Sequence, residues 1–169
     1  MEFDIGKFEE YREGNRLEVK GAKGGLPRSL WETYSSMANG YGGLILLGVS
    51  EKKDGSFVTT GLDAKDVEKL RRDLWSVLND GKKVSVNLLV DEDVKDYKVG
   101  EDLVLSIRVP RAEREVRPVY INDDLFEGTF RRNGEGDYHC TRSEIKAMLR
   151  DQTEETFDMK VLENFEIDD

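Results

Sequence analysis

Apolar and polar residues alternate along some stretches of this chain and recur every three or four residues along others, which predicts a mixture of strands and helices. Leu17-Glu18-Val19-Lys20 has the two-residue period of a half-buried strand. Gly43 to Val49 is almost wholly apolar and reads as one central strand. Asp54-Gly55 signals a hairpin turn, with Phe57 to Thr60 as the returning strand. Val84 to Leu88 and Leu103 to Val109 alternate as further strands, and Pro110 ends the second. Val119-Tyr120-Ile121 and Thr129-Phe130-Arg131 are shorter candidates. Helical spacing links Leu30, Tyr34, Met37 and Ala38 after Pro27, with Gly40 as the stop. Asp63 caps a second helix carrying Val67, Leu70, Leu74 and Leu78 on one face and ending before Gly81. Thr141-Arg142-Ser143-Glu144 is a capping box that launches a third helix through Ile145, Met148 and Leu149. Strands and helices do not alternate strictly. The expected class is therefore α+β, a mixed sheet with about three helices, rather than a doubly wound sheet.

The boundaries follow from composition. Residues 1–12 read as an N-terminal arm or short helix carrying Phe3, Ile5, Phe8 and Tyr11. Residues 13–152 are expected to form the domain, and 153–169 to be an acidic tail linking to further domains. The formal net charge of -10 is concentrated at the two ends. Residues 151–169 hold eight acids against Lys160, whereas residues 14–150 carry acids and bases in equal number. A neutral body can still present a basic face, so the bulk charge does not exclude nucleic acid. No run approaches the ~18 apolar residues of a membrane span, and the acidic start lacks the apolar core of a signal peptide. A cytoplasmic address is the expectation. Cys140 and His139 are the sole cysteine and histidine, so an intrachain disulfide and a Cys/His zinc site are both ruled out.

Two groups of residues bear chemistry. Glu18 and Lys20 share a strand face, and Glu13 precedes a Gly14-Asn15 turn signal that can fold it back toward them. Carboxylates so arranged suit a hard divalent ion, although a solvated Glu/Lys strand edge has the same spacing. The Gly21–Ser29 stretch joins a strand to a helix start, and Lys20, Lys23 and Arg28 add positive charge there, which suits an anion. It lacks the Walker sequence. Gly40-Tyr41-Gly42-Gly43 lies between a helix and a strand, the reverse of a dinucleotide fingerprint. Arg108, Arg111, Arg114, Arg117, Arg131 and Arg132 accumulate near Tyr120, Phe130 and Tyr138, a composition suited to phosphates and unpaired bases, with Glu113, Glu115 and Glu135 interleaved.

Three pieces, in order, resemble the Schlafen AlbA-like domain of bacterial transcriptional regulators and animal Schlafen proteins. They are Glu13-Gly-Asn-Arg-Leu-Glu18-Val-Lys20, then Met37-Ala-Asn-Gly-Tyr-Gly-Gly-Leu-Ile-Leu-Leu-Gly-Val49, then Pro118-Val119-Tyr120 with Phe130-Arg131-Arg132-Asn133-Gly134 and the capped last helix. Val19 stands where the family usually has an aromatic, and Ser50-Glu51 where it has aspartate. The resemblance implies a nucleic-acid-binding module of a transcriptional regulator, with Lys20, Lys23, Arg28, Arg131 and Arg132 on phosphate. It also implies an alternative, a Mg²⁺- or Mn²⁺-dependent ribonuclease. In that reading Glu13, Glu18 and Glu51 are metal ligands and Lys20 steadies developing charge. A third reading is a protein-interaction or homo-oligomerisation domain whose acidic tail docks on a neighbour. ATP binding at the glycine-rich loop is a further option, with no Walker sequence behind it.

Overall fold

The computed structural model describes residues 3–152, so the expected acidic tail lies outside the described residues. A 3-10 helix, Ile5–Glu10, leads into strand β1 (Leu17–Lys20), helix α1 (Ser29–Asn39) and strand β2 (Gly43–Leu47). A hairpin follows, β3 (Val49–Glu51) and β4 (Phe57–Thr59), then α2 (Ala64–Leu78), β5 (Val94–Val99) and β6 (Asp102–Val109). A second hairpin, β7 (Phe130–Asn133) and β8 (Gly136–His139), precedes α3, which is helical from 142 to 152. The fold is α+β, as the pattern predicts.

The main sheet has the order β1-β2-β6-β5, with β1 parallel to β2 and the other pairs antiparallel. Every residue of β2 is buried, which explains its unbroken apolar run. Ile45 and Leu47, with Leu105, Ile107 and Val109, pack against α1 and α2. The opposite face sets Leu44, Leu46, Val104, Leu17 and Val19 under Phe3, Phe8 and Phe57. The N-terminal arm is thus one lid of the sheet, and its aromatics earn the 3-10 segment a fixed place. On α2 the stripe Val67, Leu70, Leu74, Leu78 is buried, and Asp63 and Asp66 close a reciprocal capping box.

Two expectations are corrected. Gly43–Val49 does not run as one strand, because Gly48 adopts φ +93° and turns the chain out of the sheet. The hairpin it releases carries Glu51 to the side of β1. A Cβ at Gly48 would stand 2.7 Å from Leu62 Cδ1 and 2.9 Å from the Leu103 carbonyl oxygen. Gly48→Ala is therefore expected to cost about 1–3 kcal/mol, read as a lower urea midpoint at unchanged slope.

Val84–Leu88, the second correction, forms no strand. Val84 makes a single bridge to Ile121, and beyond it the Tyr34 hydroxyl donates to Val86 O at 2.7 Å and accepts from Leu88 N at 3.0 Å. A side chain satisfies the backbone groups that a neighbouring strand would otherwise take. Unexpected from the pattern are β5, an edge strand whose polar residues face solvent, and β8, which completes the second hairpin.

A carboxylate site at the edge of the sheet

Tight backbone pairing between Gly14 and Leu17, N–H to O in both directions, folds the chain back just after Glu13. Its carboxylate then accepts from Val19 N at 3.2 Å. Leu17 and Val19 point into the core, so Glu18 and Lys20 share the opposite face of β1. Lys20 Nζ lies 3.8 Å from Glu18 and donates to Ser29 Oγ, at the start of α1, at 3.0 Å.

Arg132, on β7, holds this arrangement together. Its guanidinium donates to Gly14 O and Leu17 O, to Glu18 Oε2 at 2.8 Å and to Asp137 Oδ1 at 2.9 Å. Asp137 in turn accepts from the Thr33 and Ser36 hydroxyls of α1. Burial works against the charged guanidinium, but the bonds to Glu18 and Asp137 outweigh it and raise its pKa. The side chain is only 3% exposed. Arg132, expected on phosphate, is instead enclosed and saturated, linking the turn, β1, α1 and the β7–β8 hairpin.

That hairpin brings in a residue that stands in the sequence only as an acid among arginines. Glu135, on the turn between β7 and β8, offers a carboxylate oxygen that lies with those of Glu13 and Glu51 inside a 4.8 Å span. Glu18 stands beside the group. Desolvation pushes the Glu13 carboxyl up to about 8, aided by the negative charge of Glu18 and by hydrogen bonds with Glu18 and Glu51. Glu13 therefore keeps a proton at neutral pH, because burial and the neighbouring Glu18 charge both disfavour its ionised form. Ligand oxygens around a Mg²⁺ with bonds of about 2.0–2.1 Å lie roughly 3–4 Å apart, so small side-chain movements close this cluster on an ion. Three hard oxygen donors, two of them exposed, fit such a cation. Glu18, already paired to Arg132 and Lys20, is not part of the three-oxygen group.

The remaining basic residues separate. Lys23 and Arg28 are exposed on the glycine-rich loop, and neither faces a carboxylate in an ion pair among the described residues. Arg131 pairs with Glu144 at 3.3 Å and stacks on exposed Tyr138. Arg108 pairs with Asp93, and Arg111 lies over exposed Tyr41 with Arg114 and Arg117 nearby. The arginines thus divide among several surfaces. Cys140 is buried, and desolvation raises its thiol to about 11, so it is no nucleophile at neutral pH; His139 stacks on Phe130 at 4.5 Å.

Residues 13–141 match the Schlafen, AlbA_2 family, from Glu13 through the end of the β7–β8 hairpin. The chain belongs to the Schlafen AlbA_2 family. Among solved structures, this Schlafen AlbA_2 domain resembles the N-terminal domain of a RecG-related protein from Nitrosomonas europaea, named for an ATP-dependent DNA helicase. The two are 29% identical at TM-score 0.57, over 81% of this chain and 90% of that one. A second likeness is to the DIP2311 protein of Corynebacterium diphtheriae, 23% identical at TM-score 0.53. It covers 82% of this chain and 24% of that one, and it speaks for the shared fold. No curated protein matches the chain. The family places the domain among nucleic-acid-related modules. No helix among the described residues is long and apolar enough to cross a membrane.

Proposed function

We propose that this Schlafen AlbA_2 domain binds nucleic acid and sets a phosphodiester against a divalent cation held by Glu13, Glu51 and Glu135. The observation that carries the reading is the convergence of those three carboxylates, with Lys20 paired to the adjoining Glu18, on a domain whose family and whose RecG-related likeness point to nucleic acid. Metal-dependent cleavage of RNA is the activity this reading assigns to the site.

Mg²⁺ or Mn²⁺, when bound, supplies Lewis acidity to a phosphate oxygen and to an attacking water. Glu13, Glu51 and Glu135 would hold the ion. Lys20, fixed by Glu18 and Ser29, presents an ammonium where phosphate charge accumulates. Glu18 orients Lys20 and is itself oriented by Arg132. Lys23 and Arg28 extend positive charge along the loop from that point, which suits the backbone of a bound strand. The wider setting of a transcriptional regulator, in bacteria and in the cytoplasm, is the one the family resemblance favours.

Glu13 must shed its proton to act as a ligand, which makes metal affinity depend on pH. Mn²⁺ affinity is expected to rise about tenfold per pH unit from 6 to 8, one proton leaving per ion, and to level off above the Glu13 value of about 8. Titration calorimetry across that range checks it. Without metal the sign for stability is opposite. The protonated Glu13 contributes fully below the ordinary carboxyl value of 4.5, and that contribution is lost as pH rises through about 8.

The activity itself is tested with end-labelled structured RNA and single-stranded DNA in Mn²⁺, resolved on a denaturing gel beside Glu13→Gln and an EDTA control. Cleavage of RNA by the wild type alone is the expected result. Intact RNA in every lane would refute cleavage, and equal cutting by Glu13→Gln would refute the carboxylates as its seat.

A further inference from the structure

We propose that the groove floored by Trp31 holds one nucleotide of a single strand, with its base on the indole and its phosphates on Arg28 and Lys83. The placement of the neighbouring phosphodiester at the carboxylates rests on the function proposed above; the groove itself does not.

The groove has a volume of about 580 Å³, bounded by the Gly24–Arg28 loop, one face of α2 and the segments at Lys83 and Asn122. That is the size range of small-ligand sites, roughly 300–1,000 Å³. Trp31 is half-buried and braced edge-on by Tyr34, with ring centres 5.9 Å apart and planes at 72°. A braced ring presents a flat surface at little entropic cost. Its indole N–H has no acceptor among the described residues.

Charge around the groove is as telling. Arg28 and Lys83 are exposed, and neither side chain has a hydrogen-bond or ion-pair partner among the described residues. Lys69 is neutralised by Asp73 at 2.9 Å. Two uncompensated cations therefore border an aromatic floor in a chain of net charge -10. The Asn122 side-chain amide, on a residue with φ +59°, also lacks a partner among the described residues and can pair with a base edge.

Shape distinguishes a strand from a free nucleotide. A second depression of about 490 Å³ shares the Gly24–Pro27 wall and is lined by Ser29 and by Lys20, the residue paired with Glu18. Two depressions against one loop suit a strand that passes from one to the other, rather than one compact nucleotide. The loop has no Walker lysine to gather a triphosphate, and the two free cations sit on separate segments.

The test is the fluorescence anisotropy of a 5′-labelled oligouridylate, about twelve nucleotides long, titrated in EDTA at several salt concentrations. Wild type is expected to bind. Trp31→Leu should weaken binding about tenfold, the scale of one base stacked on an aromatic ring. Arg28→Glu combined with Lys83→Glu, both on the surface, should weaken it further and flatten the log–log salt slope by about 1.4, for two phosphates on a single strand. A blunt duplex should respond to neither change, and millimolar ATP should leave the strand bound. Unchanged affinity and slope in the charge-reversed protein would overturn the proposal. So would displacement by ATP that depends on Trp31, which would make the ligand a free nucleotide. The metal-free buffer separates this from the cleavage reading. Protein that binds as described yet cuts nothing in Mn²⁺ refutes cleavage and keeps the groove; protein that cuts while its variants bind like wild type refutes the groove alone.

Discussion

Arg132→Met is expected to lower folding stability by about 3–5 kcal/mol, the usual consequence of removing one partner from a buried charged network. Five hydrogen bonds converge on this guanidinium, from two carbonyls and two carboxylates contributed by separate parts of the chain. Methionine fills the volume and supplies none of the donors. Glu18 and Asp137 would then lie half-buried with their principal cation gone, and the Gly14–Leu17 turn would lose the clamp that keeps Glu13 folded back. Arg132→Lys should recover only part of the loss, since an ammonium cannot reach acceptors arranged around a planar fork. Chemical denaturation of the three proteins measures the difference. A midpoint for Arg132→Met within about 0.5 kcal/mol of wild type, the range of ordinary surface changes, would show that the network carries no weight.

The second large effect is functional. Glu51→Gln keeps the shape of an exposed side chain at the end of β3 and should leave stability within about 0.5 kcal/mol of wild type. Mn²⁺ affinity should nevertheless fall by more than about 100-fold, because loss even of an outer partner of a metal ligand costs about 10–100-fold. Metal-dependent cleavage should fall with it. Glu135→Gln is expected to behave the same way, which separates a three-carboxylate site from one in which Glu18 replaces Glu135. Calorimetric titration with Mn²⁺ gives both numbers.

How much of this was legible in the sequence depends on the range of the interaction. Elements defined by their own pattern appear where expected: the stripe on α2 with its Asp63 cap, the hairpin at Asp54-Gly55, and the alternating β6. Val84–Leu88 alternates like a strand, yet Tyr34, some fifty residues earlier, satisfies its backbone. Period alone does not say which partner a polar backbone group will find. Gly48 looked like part of an apolar run, and only the close approach of Leu62 and Leu103 reveals a turn there.

The site divides along the same line. Glu13, Glu18 and Lys20 lie within eight residues, so strand geometry and a turn suffice to bring them together. Glu51 reaches them through a hairpin. Glu135 arrives from more than eighty residues further on, through docking of β7 on α1, and no local signal marks it. The motif Asn39, which the resemblance singled out, proves to be structural. Its side chain bonds Val119 N and O and Phe130 O, joining α1 to both segments of the third piece that carries the resemblance. The number of arginines is a poor guide for a related reason, since charge on paper does not tell whether a partner lies across the fold, as Glu18 does for Arg132.

The most direct test of the central claim is an X-ray data set on crystals soaked in Mn²⁺, collected for its anomalous signal. The account predicts a peak bounded by Glu13, Glu51 and Glu135, with Glu18 still joined to Arg132. An empty cluster at saturating Mn²⁺ and pH above 8, or a peak held by Glu18 after Arg132 has let go of it, would contradict the assignment.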